Sequence, residues 1–159
     1  MMLFRKKTKN SNPDSFESAW GYALFLLGFR THSSGEIKEK LQGRGYTPLV
    51  RQSTLERLQK ERLLDDHFAA QMWVENFMRF KLYGYYYIKQ KLLSKHIPRE
   101  ICDSVLSTLF DEKEEYKIAQ KFVKRISTTQ KELSRLKLAA QLQRRGFRSS
   151  VIQKILPVQ

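Results

Sequence analysis

Ile88-Lys89-Gln90-Lys91-Leu92-Leu93-Ser94-Lys95-His96-Ile97-Pro98 decides how this chain is read, because its pattern occurs twice more. Aligning Leu41, Leu92 and Leu142 gives spacings of 51 and 50 residues. Ile37, Ile88 and Leu138 stand four positions upstream. Gly45, His96 and Gly146 stand four downstream, followed at once by Tyr46, Ile97 and Phe147. Val50, Ile101 and Val151 follow at nine, and Leu55, Leu106 and Leu156 at fourteen. Apolar residues four apart, such as Ile37 and Leu41, share one face of an α-helix. The glycine after them supplies the left-handed conformation that ends one. Agreement in residue type at these offsets in three copies is an internal repeat.

Each copy reads as three helices. The third helix starts at Thr47-Pro48 in copy one, a cap followed by proline at the first helical position. Pro98 does similar work in copy two, and Ser149 is the cap expected in copy three. Ser33-x-x-Glu36 and Thr129-x-x-Glu132 read as capping boxes of second helices, with side chains satisfying otherwise unpaired N–H groups. The first helix of copy two opens at the N-cap Asp65 and runs through Phe68, Ala69, Trp73 and Phe77. Its counterparts run through Trp20, Ala23, Leu26 and Leu27, and through Ala119, Val123 and Ile126. No segment alternates with period two, so no sheet is expected. The expected fold is all-α: three tandem three-helix repeats in an elongated, curved array. Its parts are a flexible basic tail at 1–17, repeats at 18–64 and 65–110, and a shortened repeat at 111–159.

With 30 basic and 16 acidic side chains the chain carries +14. Residues 1–64 contribute +6, residues 65–112 contribute −1, and residues 113–159 contribute +9. Charge of this size calls for a polyanionic partner, because lysine and arginine release counterions when they neutralise phosphates. Cys102 is the single cysteine, so no intramolecular disulfide forms, and a reducing compartment is expected. The longest apolar run, Ala23 to Leu27, is far short of the ~20 residues of a membrane span. A cytoplasmic protein with no membrane role is the expectation. Catalysis finds no support. His32, His67 and His96 are scattered, none stands at metal-ligand spacing from Cys102, and there is no glycine-rich phosphate loop. No cofactor or metal is expected, and Cys102 reads as a core thiol. Asp65-Asp66 and Glu114-Glu115 read as helix-start acids.

The position three after the aligned leucine is basic in every copy: Arg44, Lys95 and Arg145. Two readings stay open. Three cations at one structural position can track a periodic polyanion, or each can simply complement the negative end of its own helix. Lys137 and Arg144 point away from the Leu138/Leu142 face, and with Arg148 they form the candidate patch for phosphate or acidic protein surface. Tyr83, Tyr85, Tyr86 and Tyr87 cannot all share one helix face. Some of these rings, with Tyr85 and Tyr86 the candidates, stack on bases or anchor an interface; the others pack between repeats.

Three stretches resemble the RecX family. Leu63-Leu64-Asp65-Asp66-His67-Phe68-Ala69 is similar to the family segment in which Asp, two variable residues and Phe-Ala open a helix. Gly84 to Ile97 resembles the segment running from glycine through Ile and Leu to Lys-Gly-Ile, with His96 in place of that glycine. Arg144-Arg145-Gly146-Phe147 followed by Val151-Ile152 is similar to the family's C-terminal ending. The resemblance covers roughly residues 18 to 156. It implies a small bacterial cytoplasmic monomer of tandem three-helix repeats that binds in the groove of the RecA–DNA filament. There it would modulate strand exchange, ATP hydrolysis and co-protease activity. A free-standing basic DNA-binding protein with no RecA role is the alternative.

Overall fold

A computed structural model describes residues 12–129 and 134–157. Among them the chain forms nine α-helices and no strand: α1 Phe16–Phe29, α2 Ser34–Gly43, α3 Pro48–Lys60, α4 Asp66–Asn76, α5 Tyr85–Ser94, α6 Arg99–Leu109, α7 Glu112–Thr129, α8 Arg135–Arg144 and α9 Ser149–Ile155. They group as three successive triplets, so the all-helical repeat expected from the sequence is the observed architecture. A π-helical turn, Phe77–Lys81, extends α4; nothing in the periodicity announced it.

The repeat has a chemical cause. In each copy the second helix ends in a Schellman turn, in which the two N–H groups beyond the helix reach back to its last carbonyls. Gly45 N–H donates to Gln42 O at 2.9 Å and Tyr46 N–H to Leu41 O at 3.2 Å. His96 and Ile97 donate likewise to Leu93 and Leu92, and Gly146 and Phe147 to Gln143 and Leu142. The residue after each cap is left-handed, with φ 90° at Gly45, 57° at His96 and 79° at Gly146. Histidine therefore takes the glycine's conformation in copy two, an uncommon one for a residue with a Cβ. Leu41, Leu92 and Leu142 have no exposed surface, and Tyr46, Ile97 and Phe147 are buried beside them. Burying a side chain of this kind contributes ~1.5–3 kcal/mol.

Caps set most helix starts. Ser33 and Glu36 form the expected capping box, and Asp65 accepts from the N–H groups of His67 and Phe68 at 2.9 and 3.0 Å. Other expectations shift. Pro98 sits at the N-cap position and Arg99 is the first helical residue. Arg148 occupies the N-cap of α9, which makes Ser149 its first residue rather than its cap. Thr129 ends α7, Glu132 lies outside the described residues, and α8 is capped by Ser134, which accepts from Lys137 N–H. In α6 Cys102 is fully buried, whereas its neighbour Ile101 is only partly covered.

The chain divides into two compact units, with the break after Ala69. The first is built on Ala19, Ala23 and Leu26 of α1 against Ile37, Leu41, Val50, Leu55 and Leu58. Pro13 O accepts from Thr47 N–H at 3.1 Å, which ties the chain before α1 to the start of α3. The second unit has one core, shared by the second and third triplets, which runs from Val74 through Ile88, Leu92, Leu106 and Phe110 to Phe122, Leu142 and Val151.

His32, between α1 and α2, is 4% exposed and its Nδ1 lies 2.9 Å from Arg30 O. Burial, aided by the charge of Arg30, holds its pKa below the ordinary 6.5, against the opposing pull of the Arg30 carbonyl. Above pH 6.5 the ring is neutral in both folded and unfolded chains. As pH falls below that value the unfolded chain takes up the proton first, so this contribution to stability is lost through the window beneath 6.5. An NMR titration is expected to place His32 below 6.5 in the folded protein; a midpoint at or above 6.5 would refute this.

Candidate functional site

The three cations after the aligned leucines fall at the C-cap of α2, α5 and α8. Each lies over an aromatic ring of the first helix of its own triplet. Arg44 stands 4.3 Å from the centre of Tyr22, Lys95 4.0 Å from Trp73 and Arg145 4.4 Å from Phe122. The rings recur 19 or 20 residues before the aligned leucine, a signal that was present in the sequence. Such a contact is worth ~0.5–1 kcal/mol when exposed and more when desolvated. The cations therefore clamp helix two to helix one.

Arg145 is fixed further. Its Nη1 donates to the carbonyls of Lys81 at 2.9 Å and Leu82 at 3.3 Å, and its guanidinium also faces Tyr83 at 5.0 Å. Arg148 departs most from expectation. Instead of joining Lys137 and Arg144 on an outward patch, it pairs through Nε with Glu115 and stacks over Tyr85 at 4.7 Å. Its Nη2 also donates to Phe110 O at 3.3 Å.

Glu115 stands in the first turn of α7, as expected of a helix-start acid, but its burial and its partners on α5 and α9 were not legible in the sequence. It is fully buried, whereas Glu114 beside it is an ordinary surface acid paired with Lys117. One carboxylate oxygen of Glu115 accepts the backbone N–H groups of Tyr85 and Arg148, both at 2.9 Å. Asp66 behaves similarly in the first unit, accepting from Ser34 N–H at 2.6 Å and Ser34 Oγ at 2.5 Å. In both places a carboxylate from the next triplet's first helix caps the preceding triplet's second helix, where unpaired N–H groups favour negative charge.

Of the tyrosines, Tyr86 is 59% exposed. Tyr83 and Tyr87 stack at 3.7 Å, with Phe77 at an edge to both. Tyr85 is half-buried beneath Arg148.

The outward surface of α7 and α8 carries a group of cations. Lys121, Lys124 and Arg125 of α7 and Lys137 and Arg144 of α8 are exposed. Between these helices lies a cleft of about 380 Å³, lined by Leu82, Phe122 and Ile126 and by Arg125, Gln141, Arg144 and Arg145. Apolar surface framed by three guanidinium groups suits a ligand with a flat apolar part and negative charge. Among the described residues no cluster of His, Cys, Asp and Glu is placed to hold a metal ion, and no helix is long and apolar enough to cross a membrane.

Comparison with known proteins agrees with this architecture. Residues 19–58 match the family model described as the first three-helix domain of RecX, and residues 65–106 match that of the second. The protein named "Regulatory protein RecX" of Prosthecochloris aestuarii is 32% identical over 134 residues, covering 84% of this chain and 88% of that protein. Its namesake from Thermotoga maritima is 32% identical over 154 residues, covering 96% and 92%. The crystal structure of RecX from Lactobacillus salivarius has the same fold, with a TM-score of 0.81 at 20% identity, covering 88% of this chain and 93% of the other. By sequence over nearly its whole length, the chain belongs to the RecX family.

Proposed function

We propose that this chain is a non-enzymatic regulator of homologous recombination and DNA repair in the cytoplasm. It binds the RecA nucleoprotein filament as a monomer and inhibits its ATP hydrolysis, strand exchange and co-protease activity. The relatives' shared name, "Regulatory protein RecX", supports a regulatory role. The observation that carries the reading is the exposed positive surface of α7 and α8, where the filament's DNA or acidic side chains can be met.

RecA's DNA-dependent ATP hydrolysis, measured with and without the chain, tests this. Inhibition is expected, and an unchanged rate at filament-saturating concentration refutes it. Tight binding to bare DNA with no effect on RecA would favour the free-standing DNA-binding alternative.

The placement of Arg148 changes which charges should be altered. Replacing Arg125, Lys137 and Arg144 together with Gln is expected to weaken filament binding about tenfold or more. It should also flatten the salt dependence, by roughly 0.7–0.9 in log–log slope for each phosphate no longer neutralised. Replacing Lys91 and Arg99, exposed cations of the middle triplet, is expected to matter less. Equal weakening per charge from both sets would show that the location of charge is irrelevant.

A further inference from the structure

We infer that the cleft between α7 and α8 is a pocket for one unstacked nucleotide of single-stranded DNA. The inference deepens the reading above, and rests on the C-terminal triplet being the side that meets DNA. Leu82 and Ile126, both partly exposed, provide apolar surface beside the almost fully buried Phe122, and the cleft's 380 Å³ lies within the ~300–1,000 Å³ of small-molecule pockets. Double-stranded DNA keeps its bases stacked and has nothing to insert; a single strand does.

The arginines divide the task. Arg145 is held by two carbonyls and backed by Phe122 and Tyr83. It is therefore a fixed positive charge in the cleft wall, and a base in the cleft would pack on the apolar side chains of Leu82 and Ile126. Arg144 is exposed and has no carboxylate partner among the described residues, which leaves its planar fork for phosphate. Gln141 adds an amide able to donate to and accept from a base edge. An acidic peptide would use the charge but leave the apolar floor empty, so the nucleotide uses more of what the cleft offers.

Fluorescence anisotropy with the full chain and free oligonucleotides tests the inference without RecA. The probes are a fluorescein-labelled oligothymidylate, an abasic oligonucleotide of equal length and a duplex. Oligothymidylate is expected to bind about fivefold or more tighter than the abasic strand, the least effect expected of one stacked base. Gln141→Glu places a carboxylate in the cleft without changing side-chain size, and should weaken binding about tenfold. Gln143→Glu alters net charge equally on an exposed position of the same helix, and should weaken it about twofold. Equal affinity for base-bearing and abasic strands, or equal weakening by the two substitutions, would overturn the pocket. Displacement of oligothymidylate by oligoglutamate at matched charge would reassign it to an acidic protein segment. None of these outcomes alters the RecA ATP-hydrolysis result, so the two readings fail separately.

Discussion

Gly84→Ala is expected to cost the second compact unit about 4 kcal/mol or more, an effect that few single substitutions reach. Gly84 stands immediately before α5, where the start of that helix meets the turn between α8 and α9. A Cβ added there would lie 2.3 Å from Phe147 N, 2.4 Å from Phe147 Cα and 2.5 Å from Gly146 C. All three are backbone atoms, so no side chain can swing away to make room. The same approach satisfies the first N–H groups of α5: Gly84 donates to Arg145 O and Tyr86 to Gly146 O, both at 2.9 Å, and Tyr85 donates to Glu115. Parting the two segments by the width of a methyl group would break the first two bonds. Each buried donor or acceptor left unpaired costs about 1–3 kcal/mol in addition to the strain. Gly28, inside α1, is the internal control. Nothing lies within 4 Å of its added Cβ, so Gly28→Ala is expected to stabilise by about 0.5–1 kcal/mol through helix propensity. Urea unfolding of the full chain is followed by Trp73 fluorescence in a Trp20→Phe background for Gly84→Ala, in the second unit, and by Trp20 fluorescence in a Trp73→Phe background for Gly28→Ala, in the first. A destabilisation below 1 kcal/mol for Gly84→Ala would show that this close backbone approach is not formed.

The architecture was legible because its recurring chemistry is local. A Schellman turn needs an apolar residue, a cap, a left-handed residue and a second apolar residue at fixed offsets, and all of them lie within six positions of Leu41, Leu92 and Leu142. The arginines were less legible, for a geometric reason. Helical spacing extends from Lys137 to Arg144 but not to Arg148, because Gly146, with its positive φ, lies between them. Beyond it the phase of α8 no longer holds, and Arg148 turns inward to Glu115. The cation–ring contacts span roughly 20 residues and two helices, so no local window contains them. Only the three copies laid side by side bring Tyr22, Trp73 and Phe122 into register ahead of Arg44, Lys95 and Arg145. Glu115 gave no such signal. Beside Glu114 it has the composition of any helix start, and only the arrival of α5 and α9 against α7 buries it.

Glu115→Ala is the second large effect expected, a loss of about 3–5 kcal/mol from the same unit, the usual consequence of removing one member of a buried ion pair. The side chain has no exposed surface, and Arg148 would be left half-buried without its countercharge. Glu115→Gln separates shape from charge. The amide oxygen can still accept from Tyr85 and Arg148 N–H, but the amide nitrogen is then set against the guanidinium, donor against donor. We expect it to remain destabilising by about 2 kcal/mol or more, because hydrogen bonds to charged groups contribute about 1.5–3 kcal/mol each. A double replacement, Glu115→Leu with Arg148→Met, decides what the carboxylate is for. Buried ion pairs exchanged whole for apolar side chains are often neutral in stability, so full recovery would mean that the pair mattered only to itself. Here the carboxylate also accepts two backbone N–H groups, which leucine cannot. The double variant should therefore regain only part of the stability and stay about 2 kcal/mol below the parent, two unpaired donors being worth roughly that much. Asp66→Ala in the first unit removes the corresponding cap from a side chain that is only half-buried, and should cost about 0.5–2 kcal/mol. If Glu115→Ala costs no more than Asp66→Ala, Glu115 is only another helix cap; a cost several times larger would make it the residue that joins the third triplet to the second.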